Sequence, residues 1–211
     1  MRFVVSALAL IVAASAAAAA PEVPSPPDTP PLAQRDDAFL RAYPLTVDAP
    51  VVHIPRCSDV DAFEGQLAFA TVDVTAHVPF PGVDRRGRYF GRTRFSIRRV
   101  TLHLPADVVW PGMTERDRSA VTASLAALRH HEVGHVRVAA AEVARLNAAP
   151  LTVTPDAEVY RQTEIRRQTA GLAAIARAQA AYDALTAHGR AQPRAPEPLR
   201  GPPTELRCDT P

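Results

Sequence analysis

The stretch RHHEVGH, residues 129–135, places three histidines and one glutamate within seven consecutive positions. It lies in an alanine-rich run over residues 114–148 that contains no proline. Thr114, with Asp117 three residues later, is typical of a helix N-terminus, and Pro150 cannot continue a helix. The run therefore predicts one long helix with the three histidines near its middle.

Segments on both sides of this helix indicate the fold class. A second helical pattern covers residues 156–187, and alternating apolar runs precede the first helix at 66–78 and 92–104, after a short apolar run at 49–55. Alternation with a period of two is typical of strands, and the slip at residues 98–99 resembles a β-bulge. Strands first and helices second predict an α+β fold, with a small antiparallel sheet followed by a pair of long helices that carry the site.

The N-terminus has the composition of a secretory signal peptide. Arg2 is followed by an apolar run over residues 3–20 that ends in five alanines, and a positive start, an apolar centre and small residues at the end are typical of such peptides. The alternative is an uncleaved membrane anchor, since a run of this length can just span a bilayer. The alanine-rich end favours cleavage. We therefore expect residues 1–20 to be removed and the mature protein to be periplasmic or secreted, without stable membrane insertion.

Proline is concentrated at both ends of the remaining chain. Eight of the 21 prolines fall in residues 21–50 and six in residues 193–211, and proline-rich segments are typically extended. The sequence thus predicts a linker over 21–37, one domain over 38–192 and a proline-rich tail over 193–211.

Charge and cysteine content exclude some function classes. The formal net charge is only +2 over 211 residues, which argues against a nucleic-acid binder. Seven arginines fall within residues 85–99. A solvated hairpin is the simpler interpretation of this cluster, and contact with an acidic surface is the alternative. The two cysteines, Cys57 and Cys208, suit an oxidising compartment, where a disulfide between them is expected.

The histidine stretch has the spacing of a catalytic zinc site. In a helix, His131 and His135 lie one turn apart on the same face, so both imidazoles can point at one zinc ion. Glu132 can reach a water held by the zinc, whose pKa falls toward ~7, and can take its proton. Gly134 lowers helix stability by about 1 kcal/mol relative to alanine, and we interpret it as leaving room beside the ion. His130 points about 100° away and is a bystander or supporting group. The alternative is a solvated helix face that carries surface histidines.

A second polar stretch, YDALTAHGRAQ at residues 182–192, ends the second helix. With the HEVGH stretch, it makes the chain resemble a family of bacterial secreted proteins described as predicted zinc-dependent proteases, also known as a domain of unknown function. The family pattern of a Tyr-Asp pair, a Thr-x-His-Gly and a nearby Gln is present as Tyr182, Asp183, Thr186, His188, Gly189 and Gln192. The resemblance covers roughly residues 40–192. It departs at Pro193, where the family has small residues, and the strand at 92–104 lacks the family's cysteine.

The resemblance implies a zinc hydrolase fold, a peptidase activity on a peptide or protein substrate, and His188 as the third zinc ligand. A hairpin of two straight helices places residue 133 beside residue 171 and leaves His188 more than about 20 Å from His131. A bend at Gly171 would therefore be needed. Glu164 is nearer in this register and is the alternative third ligand.

The sequence therefore predicts an exported zinc metallohydrolase, a peptidase in which His131, His135 and His188 bind Zn²⁺ and Glu132 is the general base. Tyr182 is a candidate donor to the substrate oxyanion, with a core tyrosine as the alternative. The competing hypothesis is a non-catalytic envelope protein that binds a partner through its helical pair, with zinc structural or absent. An open coordination position beside Glu132 favours the enzyme, and a closed site with four ligands favours the binding protein. The sequence does not specify the oligomeric state.

Overall fold

The computed structural model describes residues 31–57, 59 and 68–204. The helices in this part of the chain are α1 (Leu32–Leu40), α2 (Glu115–Asn147) and α3 (Ala157–Thr186), with a short 3₁₀-helix at Gln192–Arg194. The strands are β1 (Leu45–Asp48), β2 (Val51–His53), β3 (Phe69–His77), β4 (Gly82–Val83), β5 (Tyr89–Gly91), β6 (Arg94–His103), β7 (Asp107–Val109) and β8 (Thr152–Thr154). The α+β prediction is confirmed. The predicted signal peptide lies outside the described residues.

The main sheet has the strand order β1–β6–β3. β3 runs antiparallel to β6, as predicted, but β1 runs parallel to it. The predicted antiparallel pairing is therefore present, and the parallel strand β1 is an addition that the sequence did not predict. The reason is that one extended segment, β1 followed by β2, runs alongside the segment formed by β6 and β7. The predicted bulge is confirmed: Asp73 pairs with Arg99 and Val74 with Ile97, so Arg98 is the extra residue on β6.

Local side-chain caps fix the starts of both long helices. The Thr114 hydroxyl accepts a hydrogen bond from the Asp117 N–H, and the Asp117 carboxylate accepts one from the Thr114 N–H, which is the capping box that the sequence predicts. The Asp156 side chain accepts from two N–H groups in the first turn of α3. These caps explain why the predicted helix starts agree with the observed ones.

The helix α2 is fixed to the main sheet by an apolar core. Buried side chains of α1, β6 and α2 meet in this core, among them Leu40, Val100, Leu102, Val133 and Val136. Full burial of a side chain of this size contributes about 1.5–3 kcal/mol. The core holds one face of α2 against the sheet, and this anchors the helix that carries the three histidines.

The two long helices do not form the simple hairpin that the sequence suggested. Their connection contains β8, which pairs with β5 in a second sheet of order β4–β5–β8. The first turns of α3 pack against this sheet, where the buried ring of Tyr160 fits against Gly91. The later turns of α3 therefore reach α2 in a shifted register, with Gln179 rather than residue 171 beside the histidine face, where it bonds His135.

Gly171 does not break α3, which is continuous from Ala157 to Thr186. A Cβ at this position would collide with the ring of Phe95. The glycine therefore allows close packing of α3 on β6, and the predicted bend is wrong.

Both proline-rich ends contain packed residues. α1 starts within the predicted linker over 21–37, directly after Pro31, and buries Asp36 and Leu40. Residues of the predicted tail also pack on the domain, where Ala195 is fully buried. Proline disfavours the interior of a helix and not its start, so a high proline content does not prevent a helix from starting after Pro31. Cys57 is disulfide-bonded. Cys208 lies outside the described residues, so its pairing with Cys57 stays a prediction.

Candidate metal centre

A groove of about 620 Å³ runs between β3 and α3 and is also lined by α2. Its lining combines apolar side chains of all three elements with a polar group. At one end it is lined by the polar side chains of His131, Glu132, His135, Gln179, Asp183 and His188. The predicted histidine face of α2 is thus part of a concave site.

Three side-chain atoms converge at this end of the groove. The Nε2 atoms of His131 and His135 lie 3.4 Å and 3.0 Å from the same carboxylate oxygen, Oδ1 of Asp183. The three residues form a group that could hold one metal ion, with the candidate ligand atoms all within 4.8 Å of one another. The structure therefore brings the two predicted histidines together with a carboxylate that the sequence reasoning did not assign.

Two glutamines fix the orientation of the imidazole rings. His131 Nδ1 lies 3.0 Å from Gln192 Oε1, and His135 Nδ1 lies 2.5 Å from Gln179 Oε1. The amide nitrogens of these glutamines donate to backbone carbonyls, of Leu199 and of His135 respectively, which fixes the two amide orientations. An amide oxygen only accepts, so each Nδ1 carries a proton, and each Nε2 faces the Asp183 carboxylate.

This donor set fits a zinc ion. Ligands about 2.0–2.1 Å from a tetrahedral ion lie about 3.3 Å apart, close to the two observed nitrogen–oxygen distances of 3.4 Å and 3.0 Å. Burial lowers the pKa of His131 below its ordinary value, so the neutral ring is favoured. A cation among these three side-chain atoms would be bound by all of them. Support of each ligand imidazole by an acceptor at its other nitrogen is usual in metal sites.

Glu132 lies beside this donor group with its side chain in the groove. The residue is 5 % exposed, and its carboxylate accepts a hydrogen bond from the Ala70 N–H of β3. Burial raises the pKa of Glu132 to about 7, and the nearby negative charge of Asp183 acts in the same direction. A carboxyl with this pKa can both accept and release a proton near neutral pH.

His188 lies near the centre but not among its donors. Its Nδ1 is 3.6 Å from Asp183 Oδ1, and its side chain is 74 % exposed at the lip of the groove. α3 ends at Thr186, and both Ala187 and His188 adopt left-handed backbone conformations that turn the chain away. The structure does not bring His188 into the group of three donors, where Asp183 of α3 is the third member instead. His188 as a metal ligand stays a prediction.

A family comparison covers this whole donor set. The family described as "Bacterial protein of unknown function (DUF922)" matches residues 65–189, more than half of the chain. The chain belongs to the DUF922 family. Neither a curated protein nor a solved structure matches it. Within the described part of this DUF922 protein, no helix combines the length and apolarity that a bilayer crossing requires.

Tyr182 of this DUF922 protein supports the histidines from behind. Its ring stacks on His131, with centroids 5.0 Å apart, and meets the His135 ring edge-on at 4.9 Å. Its hydroxyl donates to the His131 carbonyl and accepts from the Gln192 amide, while burial raises its pKa above the ordinary value. The hydroxyl is thus engaged and the residue does not line the groove, which contradicts the predicted oxyanion role and agrees with the core alternative.

Gly134 makes room for this tyrosine and not for an ion. A Cβ at Gly134 would collide with the Tyr182 hydroxyl. The glycine thus lets α3 approach α2 closely at the level of the two histidines. The earlier interpretation of Gly134, as space beside the metal, is wrong.

Glu164, the alternative third ligand, belongs to a different cluster. Its fully buried carboxylate accepts from the N–H and hydroxyl of Thr93 and from the Thr152 hydroxyl, and it forms a 3.1 Å ion pair with Arg167. It joins α3 to the second sheet. The shift in helix register moves it away from the histidine face, so it is excluded as a ligand here.

His130, next to the first ligand in sequence, joins three segments. Its Nδ1 lies 2.9 Å from an Asp36 carboxylate oxygen of α1, and its Nε2 lies 3.1 Å from the Arg200 carbonyl. Arg137 pairs with the other Asp36 oxygen at 3.1 Å. The ring is 1 % exposed, so His130 is a buried structural group and is neither a ligand nor a solvated bystander.

The sequence reasoning therefore missed two contributors to the site, Asp183 and Gln179. Asp183 follows Tyr182 in the recognised motif, but the motif alone does not assign its role. Gln179 lies one turn earlier on α3, outside the motif. Its position beside His135 depends on the helix register, which no local pattern reveals.

Proposed function

We propose that this DUF922 protein is an exported zinc-dependent hydrolase that cleaves peptide bonds. The observation that carries the proposal is the convergence of His131 Nε2, His135 Nε2 and Asp183 Oδ1 beside the buried carboxyl of Glu132. Two imidazoles and one carboxylate form a ligand set used by catalytic zinc. Export rests on the signal-peptide pattern of residues 1–20.

Zinc in this position supplies Lewis acidity, which polarises a carbonyl and makes water nucleophilic near neutral pH. Glu132 accepts a proton from the attacking water at a carboxylate oxygen. The water oxygen bonds to the carbonyl carbon, and the carbon–nitrogen bond of the substrate then breaks. Glu132 returns its proton to the departing amine, so the carboxyl is restored after each cycle. In the metal-free protein the pKa of Glu132 is about 7, so this carboxyl can bind and release a proton near neutral pH.

The open side of the donor group supports an enzyme rather than a structural metal site. Structural zinc is usually closed by four protein ligands, whereas catalytic zinc keeps one position for water or substrate. Among the described residues the donor group has three members, and the groove lies directly beside it. The competing hypothesis, a partner-binding protein with structural or absent zinc, lacks an equivalent supporting observation.

The test is zinc content together with hydrolysis of a broad peptide library, for the wild type and for Glu132→Gln. We expect about one zinc per chain in both proteins, and a turnover about 10²–10⁴ times lower in the variant, which is the usual contribution of a general acid–base group. The matched control is Glu142→Gln, the same change on the same helix. Glu142 pairs with Arg145 and does not line the groove, so it should leave turnover unchanged.

Two results would overturn the proposal. One is a carefully purified wild-type protein that contains no zinc and takes up none. The other is equal turnover in the wild type and the Glu132 variant. Loss of activity in the Glu142 control alone would show instead that the site is not in this groove.

A further inference from the structure

We infer that the polypeptide substrate binds in an extended conformation as an additional strand along the free edge of β3. This inference rests on the proposed function and adds the substrate's conformation and the surface that holds it. The occupant is a stretch of unfolded or flexible polypeptide, because only an extended chain presents its backbone groups to a sheet edge.

β3 is an edge strand whose open side faces the groove. In the described sheet it pairs with β6 on one side only. At its start, the Ala70 N–H points away from β6 and donates to Glu132. Near its end, the Ala76 carbonyl also points away and accepts from the Gln168 side chain. These two contacts fix which residues of β3 face the open side.

The positions between them offer unused backbone groups. In an antiparallel pair, every second residue turns both its N–H and its carbonyl away from the partner strand. The bulge residue lies on β6 and not on β3, so this alternation continues unbroken from Ala70 through Val72 and Val74 to Ala76. Within the described residues, the outward N–H and carbonyl of Val72 and Val74 have no hydrogen-bond partner.

The open edge leads directly to the candidate metal centre. The N–H that binds Glu132 belongs to the same edge, two residues before Val72. The β3 segment that lines the groove, within residues 69–74, is about 17 Å long at the usual rise per residue, which is enough for about five substrate residues. A chain paired with Val72 and Val74 therefore passes beside Glu132 and the three metal donors.

The opposite wall indicates the preferred side chains. α3 contributes Leu172, Ile175 and Ala176 to the groove, and α2 contributes Leu128. Leu172 is 38 % exposed, so it offers apolar surface that is not yet buried. Every second side chain of an added strand points to the same face, and an alternating apolar pattern fits this wall.

The test measures binding and not turnover, so it can succeed or fail independently of the proposed chemistry. The probe is the blocked heptapeptide acetyl-Ser-Val-Thr-Leu-Thr-Val-Ser-amide, titrated calorimetrically into zinc-loaded Glu132→Gln protein. Two further peptides carry N-methyl groups at alternate positions. One is methylated on its Val and Leu residues, and the other on its Thr and Ser residues. Because only alternate N–H groups face β3, one methylated peptide should lose at least about tenfold in affinity and the other less than about twofold.

A pair of proline variants tests the same edge from the protein side. Val72→Pro removes an N–H that faces the groove, and proline is tolerated on an edge strand where its position makes no ladder bond. The matched control is Val47→Pro on β1, the opposite edge of the same sheet. The Asp48 carbonyl accepts a hydrogen bond from the Leu104 N–H, so Asp48 faces the segment that follows β6. Neighbouring residues of a strand face opposite edges, so the N–H of Val47 points away from the sheet. We expect about tenfold weaker binding for the first variant and less than about twofold change for the second.

Three outcomes would overturn the inference: no binding of the unmethylated peptide, equal loss with both methylation patterns, or equal affinity of the two proline variants. If Val72→Pro does not fold, the methylated peptides still decide the question. A failure of the proposed function has a different signature, since wild-type protein would then bind the heptapeptide with the same alternation but hydrolyse no peptide.

Discussion

The replacement of Glu132 by glutamine should stabilise the metal-free protein, and by an amount that depends on pH. Burial and the charge of Asp183 raise the pKa of Glu132 from 4.5 to about 7. One pKa unit corresponds to about 1.4 kcal/mol, so ionisation of this group in the folded state costs about 3 kcal/mol of stability. Glutamine has nearly the same shape, has no charge to bury, and can still accept from the Ala70 N–H.

The sign follows from the protons bound in each state. Below pH 4.5 the carboxyl is protonated in both the folded and the unfolded protein, and Glu132 carries no penalty. Between pH 4.5 and 7 the unfolded state loses its proton and the folded state keeps it, so wild-type stability falls as the pH rises. Above about pH 7 the full penalty is present. The stability of Glu132→Gln relative to wild type should therefore grow by about 3 kcal/mol across this window and then level off.

Urea unfolding at a series of pH values, with a chelator present, measures this difference directly. Glu142→Gln is a control for which the change in stability with pH should have the opposite sign. The Arg145 side chain lowers the pKa of Glu142, so the Glu142→Gln protein should become less stable than the wild type as the pH rises. Added zinc should reduce the pH dependence at Glu132, since a nearby cation favours the ionised carboxylate. A flat difference between wild type and Glu132→Gln, or one that falls with rising pH, would refute the view that this carboxyl is buried in its protonated form.

Two further predictions concern the metal donors and their support. Asp183→Ala should lower zinc affinity by at least about 100-fold and His188→Ala by less than about tenfold, as measured by competition with a chromogenic chelator; the reverse order would restore His188 as the ligand. Gln192→Leu should lower zinc affinity by about 10–100-fold, because the Nδ1 of His131 loses its acceptor. An unchanged zinc affinity in this variant would show that the Gln192 oxygen does not support the ligand.

Features set by neighbouring residues were predictable from the sequence. The start of α2 is determined by Thr114 and Asp117, and its end by the proline at position 150, all within one turn of the boundary. The spacing of His131 and His135 places their rings on one face of any helix, whatever surrounds it. The bulge at Arg98 also leaves a local trace, as a break in the alternation of β6.

Features set by packing between distant segments were not predictable. α1 has only nine residues and follows a proline-rich stretch, and it is held in place because Leu40 enters the core and Asp36 contacts α2. β1 and β7 are too short to show an alternation of apolar and polar residues. They are strands because β1 pairs with β6 and β7 pairs with β2. The third metal donor depends on the register of α3 against α2, which β8 and the packing of Tyr160 determine.

The geometry of the candidate centre therefore depends on segments well outside the motif that reveals it. The Nε2 of His131 points at Asp183 because its Nδ1 is held by Gln192, and Gln192 is oriented by the Leu199 carbonyl. One residue further along, the Arg200 carbonyl is held by His130, the neighbour of His131 on α2. The segment after α3 therefore contacts both His131, through Gln192, and His130, through the Arg200 carbonyl. A pair of histidines one turn apart can be recognised in a sequence, but their use as a metal site in this fold requires the proline-rich segment that composition had assigned to a tail.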